Sequence, residues 1–101
     1  MLAEAAIAFC VTNAADQAVA GRVRGGSEAA AVLDTVAPGQ TGCVSFPAAL
    51  SAPMLRLTRA GGADETPCQT ARLFKAGDTV AFTYKRAPSG LGFCYATEVT
   101  R

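Results

Sequence analysis

Four cysteines spread along 101 residues, with no histidine anywhere, constrain this chain more than any other feature. Cys10, Cys43, Cys68 and Cys94 lie far apart, and no Cys-x-x-Cys pair is present. Compact zinc loops, thioredoxin-like redox pairs and haem attachment sites need close cysteines or a histidine partner, so none of these is expected. An even number of dispersed cysteines in a small domain reads as a disulfide framework, and such frameworks form in oxidising compartments. The competing reading, four buried thiols in a cytosolic protein, leaves the even count without a reason.

Four cysteines allow three pairings, and the sequence does not choose among them. Joining Cys10 to Cys94 and Cys43 to Cys68 is preferred, because it ties the first and last strands together where termini otherwise fray. Phase adds to this. Cys10 alternates with Ile7, Phe9 and Val11, Cys43 sits beside Val44, and Cys94 falls between Phe93 and Tyr95. Three of the cysteines are thus out of phase with the bulky apolar face. They are expected on outer faces, bonded to a neighbouring strand or a covering loop rather than across the core.

The bridges matter because the core is thin. Half the residues are apolar, but many are alanine, and the substantial material is five Phe, two Tyr and the aliphatic residues. This length fits a single domain, residues 1–101. A net charge of +1 without a run of like charge argues against a nucleic-acid or anionic-membrane surface, which depends on clustered basic groups. No apolar stretch is long enough to span a bilayer. The segment Met1 to Val11 is apolar but interrupted by Glu4 and lacks a basic lead, so it reads as the start of a mature chain whose export signal has gone.

Turn signals recur at short intervals with alternating or β-branched runs between them, the pattern of a sandwich or barrel. Turns are expected at Asn13 to Asp16, Gly25 to Ser27, Ser51 to Pro53, Gly61 to Asp64, Ala76 to Asp78 and Pro88 to Gly90. Pro38 and Gly39 suit the central positions of a type II turn. Val19, Gly21 and Val23 alternate with Ala20, Arg22 and Arg24. Leu55 and Leu57 alternate with Arg56, and Val80, Phe82 and Tyr84 form the clearest half-buried strand. Ser27 to Val36 is mixed, and its three alanines allow a helical turn leading into a strand. All seven aromatics fall in expected strands, where core packing is the ordinary role. The fold class is therefore all-β: an antiparallel β-sandwich, immunoglobulin-like or similar, of seven to eight short strands with two disulfides.

Chemistry is sparse. Without histidine a hydrolytic site needs another base, and Ser27, Ser45, Ser51 and Ser89 show no nucleophile-elbow context or supporting spacing to Lys75 or Lys85. Gly25, Gly26 and Ser27 lack the lysine of a phosphate loop and read as a hairpin turn. Asp64, Glu65 and Asp78 could approach one another from two loops, but solvated charges are the default, and neither a metal nor a cofactor is expected. Arg22, Arg24 and Arg56 project opposite the bulky apolars. If their strands are neighbours they form a basic stripe able to meet a carboxylate-bearing partner.

The run Phe9-Cys10-Val11-Thr12-Asn13, with Pro38-Gly39-Gln40-Thr41-Gly42-Cys43, resembles a group of small exported bacterial proteins of unknown function. In that group an opening strand carries a Cys near an Asn, and a Pro-Gly turn leads to a second Cys. The Gly-Trp element before that turn is absent here, and the spacings differ. The resemblance implies a bacterial envelope location and no activity. Together these readings point to a non-enzymatic binding or structural module, periplasmic or secreted, presenting loops or a sheet edge to another envelope or extracellular protein. The loop Gly61 to Pro67 is one candidate contact. A small-ligand or glycan-binding domain is the alternative.

Overall fold

The structure, a computed structural model describing residues 6–26, 28–62 and 64–100, is all-β. Among the described residues there are eight strands: β1 (Ala6–Asn13), β2 (Val19–Gly25), β3 (Glu28–Val36), β4 (Thr41–Pro47), β5 (Met54–Arg59), β6 (Glu65–Gln69), β7 (Thr79–Arg86) and β8 (Gly92–Thr100). They form one sheet in the order β3-β2-β5-β6-β8-β7-β1-β4. The two outermost strands, β3 and β4, are joined by a short turn and pack against each other, so the sheet is nearly closed. Two neighbour pairs, β1 with β7 and β6 with β8, are parallel, and the rest are antiparallel. The helical turn allowed near Ala29 does not form, because those alanines belong to β3 and pair with β2.

Turn chemistry places the strands as the residue types require. The amide of Gln40 donates to the Ala37 carbonyl at 3.0 Å, and Gly39 has φ 79°, so Pro38 and Gly39 occupy the two central positions of the expected turn. Asn13 locks the start of that connection. It is fully buried; its Nδ2 donates to the carbonyls of Gln17 and Val36 at 2.8 and 3.0 Å, and its Oδ1 accepts from the Ala15 amide. One side chain thus fixes the β1–β2 turn and holds β1 against the end of β3, where the ladder is open.

Inside, alternate residues of every strand meet. Phe9 is the hub, with its ring edge-to-face against Phe46, Phe82 and Phe74 at 4.6, 5.2 and 5.6 Å. Such pairs add about 0.5–1.5 kcal/mol each beyond the burial of their surface. Phe74 corrects the expectation that every aromatic lies in a strand: it folds in from the connection between β6 and β7 and is half-buried.

The bridges join Cys10 to Cys43 and Cys68 to Cys94. This corrects the expected pairing of first with last strand. β1 and β4 are antiparallel neighbours with Cys10 directly opposite Cys43, and β6 and β8 are parallel neighbours with Cys68 directly opposite Cys94. Each bridge therefore staples a ladder that already exists. The outer-face expectation holds for Cys10 and Cys43, which are half-buried and exposed. It fails for Cys94, which is buried with Cys68 in the core.

The reason is volume. On β7 the inward residues Phe82 and Tyr84 are bulky, and they lie opposite Ala96 and Cys94 of β8. At Gly92 a Cβ would come within 2.6 Å of the Tyr84 hydroxyl and 2.9 Å of Thr66 Oγ1. The inner face of β8 therefore accepts only small residues, and Phe93 and Tyr95 turn outward. A bulge follows, since Ala81 pairs with Glu98 but Phe82 with Ala96, leaving Thr97 unpaired. This extra residue resets the phase, so Val99 faces inward again opposite Val80.

Candidate functional site

The alternation that sends Val19, Val23, Leu55 and Leu57 into the core sends Arg22, Arg24 and Arg56 to the outer face. β2 and β5 are antiparallel neighbours, with Arg22 directly opposite Arg56 and Arg24 opposite Met54. The expected stripe is thus assembled. Gly21 permits this close pairing over the core, because a Cβ there would lie 2.8 Å from Leu57 Cδ2 and 2.9 Å from the Arg56 carbonyl oxygen.

Like charges directly opposite each other on a sheet are unfavourable. Among the described residues neither Arg22, Arg24 nor Arg56 forms an ion pair, whereas Arg59 lies 3.7 Å from Asp64. The arginines flank a shallow groove of about 410 Å³, with Val32 on one side and Thr58 and Glu65 toward one end. Val32 stands opposite Arg22 and is 65% exposed. Guanidinium groups remain charged across the accessible pH range and present a planar fork of donors suited to carboxylates. This face can therefore bind anions and orient them.

The other singled-out residues are not drawn together. Ser45 is exposed on β4, and Ser51 and Ser89 are in exposed turns. None of them hydrogen-bonds Lys75 or Lys85 among the described residues. Ser27 lies outside the described residues. Asp78 is buried and accepts from the Lys75 amide at 2.8 Å, fastening its own turn before β7. Asp64 and Glu65 lie just before and at the start of β6, at the opposite end of the sheet, because β7 runs antiparallel to β8 and β6 parallel to it. The loop expected over Gly61 to Pro67 is shorter, since Glu65 to Pro67 are already strand.

The core packing expected of all seven aromatics fails for two of them. Phe93 and Tyr95 are 42% and 37% exposed, with ring centroids 6.0 Å apart and planes inclined by 17°. The preceding Leu91 is 71% exposed. The available signal was the row of small residues Gly92, Cys94 and Ala96, which leaves the alternate positions to face solvent. Comparison with protein-family models and with curated proteins finds no match.

Proposed function

We propose that this chain is a non-enzymatic binding module of the bacterial periplasm or cell exterior, in which a sandwich-like sheet presents Arg22, Arg24 and Arg56 to a carboxylate-bearing protein partner. The observation that carries the reading is the direct opposition of Arg22 and Arg56 on an outer face, with no ion pair among the described residues to offset it. A rigid frame with two bridges suits an oxidising environment, and among the described residues no helix is long and apolar enough to cross a membrane. The resemblance to small exported bacterial proteins agrees with that location.

The test is the double variant Arg22→Glu with Arg24→Glu. Both positions are solvent-facing, so thermal unfolding should stay close to that of the parent. Binding of a protein recovered from envelope extract on the immobilised parent domain, then purified, should be lost. Unaltered binding of that protein would remove the arginines from the account. A second reading, a glycan-binding domain, draws on the exposed Phe93 and Tyr95 rings, and a thermal-shift panel of sugars separates it from the first.

A further inference from the structure

The two bridges are placed for different tasks. Cys68–Cys94 is buried, and it sits where β6 and β8 share two register pairs. Cys10–Cys43 lies on the outer face within a β1–β4 ladder of seven register pairs, with Cys43 exposed and Cys10 half-buried. The longer ladder has its own hydrogen bonds to hold it when the bridge is open. The β6–β8 pairing has far fewer.

The residues bordering the exposed bridge are small and uncharged. Ala8 and Thr12 flank Cys10 along the outer face of β1, Thr41 and Ser45 flank Cys43 along β4, and Ala81 of β7 stands opposite Cys10. No long side chain borders the sulfurs from these positions. The two sulfurs differ in approach. β1 lies between β4 and β7, whereas β4 ends the sheet order and meets β3 on its inner side at Gly42, where a Cβ would lie 2.6 Å from Val36 Cγ2. Cys43 is thus the sulfur open to an incoming reagent, and Cys10 the one flanked on both sides.

Exchange between a thiol and a disulfide begins with a thiolate, and its rate depends on access and on which sulfur is attacked. We propose that Cys10–Cys43 is a site of reversible exchange with a dithiol reductant of the surrounding compartment, attacked at Cys43, while Cys68–Cys94 stays closed. This chemistry is separate from the proposed binding function and does not rest on it. One thiolate of the dithiol attacks Cys43 Sγ and bonds to it. The Cys10–Cys43 bond breaks, and its electron pair leaves on Cys10 Sγ, which takes a proton from water. The second thiolate of the dithiol then attacks the first sulfur and releases Cys43 as a thiolate. The reductant loses two electrons and becomes a disulfide; the chain gains them as two thiols. The β1–β4 ladder holds the two residues directly opposite each other, with Cα atoms 4.0 Å apart in the bridged form, so a disulfide oxidant can close the bridge again without refolding.

The probes are reduced glutathione, a monothiol that leaves a mixed disulfide, and dithiothreitol, each added to the oxidised full chain. After acid quenching, alkylation and trypsin, glutathione should be found on peptide 25–56 and the alkyl group on 1–22, in about tenfold or greater excess over the reverse. Limiting dithiothreitol should give a species with thiols at Cys10 and Cys43, a dispersed amide spectrum and peptide 60–72 still joined to 87–101. Oxidised glutathione should then restore the bridge. Thr41→Tyr with Ser45→Tyr puts bulk beside Cys43 and should slow the exchange several-fold. Thr83→Tyr, on β7 beyond β1, should leave it as it was. Cys10→Ser with Cys43→Ser should keep the dispersed spectrum and form no glutathione adduct.

Glutathione found equally on 1–22, or Cys68–Cys94 opening at the same rate as Cys10–Cys43, overturns the proposal. Loss of amide dispersion when the first bridge opens, or in Cys10→Ser with Cys43→Ser, does the same, because it would make that bridge a structural staple. Unchanged exchange in Thr41→Tyr with Ser45→Tyr removes Cys43 as the point of attack. None of these results bears on the envelope partner, whose binding through Arg22 and Arg24 is measured separately.

Discussion

At the scale of single residues, position on the inner or outer face decides what a side chain contributes. Phe9 and Phe93 are the same residue type, yet Phe9 is 2% exposed and contacts three aromatic rings while Phe93 is 42% exposed. Phe9→Ala should cost about 3–5 kcal/mol in urea unfolding, and Phe93→Ala about 0.5 kcal/mol or less. Equal costs would mean that the phase assigned to β8 is wrong. Asn13 is the polar counterpart of Phe9. Asn13→Ala strands the carbonyl of Val36 and loosens the first turn, and the same measurement should give a loss of about 3 kcal/mol. Asn13 was legible as a turn residue because its side chain commonly bonds the backbone two positions on. Its reach to β3 was not, since that depends on how the sheet closes.

At the scale of strands, what the sequence conveyed and what it withheld divide along a physical line. β2, β5 and β7 alternate cleanly, and their faces follow from the chain alone. β8 does not, because Phe93, Tyr95 and Val99 look like one apolar face until the bulge at Thr97 separates them. The inner volume opposite Phe82 and Tyr84 decides that strand's orientation, and volume is a property of the neighbour. The pairing of cysteines was withheld for the same reason, as it follows the ladders β1–β4 and β6–β8. In the chain-entropy treatment each bridge closes a loop worth about 3.5 kcal/mol. The bridges should differ in access, because Cys43 is exposed while Cys68 and Cys94 are 3% and 7% exposed. Under mild reduction with alkylation, mass spectrometry should find Cys10 and Cys43 modified before Cys68 and Cys94. The opposite order would contradict the burial of the second bridge.

For the molecule as a whole, one bridge sits at the shortest pairing of the sheet. In the sheet order, β3, β2, β5 and β6 are joined to β8, β7, β1 and β4 through the short β6–β8 pairing. Cys68–Cys94 bonds β6 to β8 at that short pairing. Full reduction should therefore unfold the domain or lower its melting temperature sharply, and circular dichroism with and without reductant measures this. Binding of an acidic partner should also weaken as salt rises from 0.05 to about 0.5 M, because exposed charges are screened over about 10 Å or less at 0.1 M and above.

The connectivity on which this arrangement rests can be read directly. Trypsin leaves each cysteine in its own peptide, residues 1–22, 25–56, 60–72 and 87–101, so digestion without reductant distinguishes all three pairings by mass. Peptide 1–22 should be found joined to 25–56, and 60–72 joined to 87–101. Recovery of 1–22 joined to 87–101 would contradict both stapled ladders, β1–β4 and β6–β8, and the phase of β8.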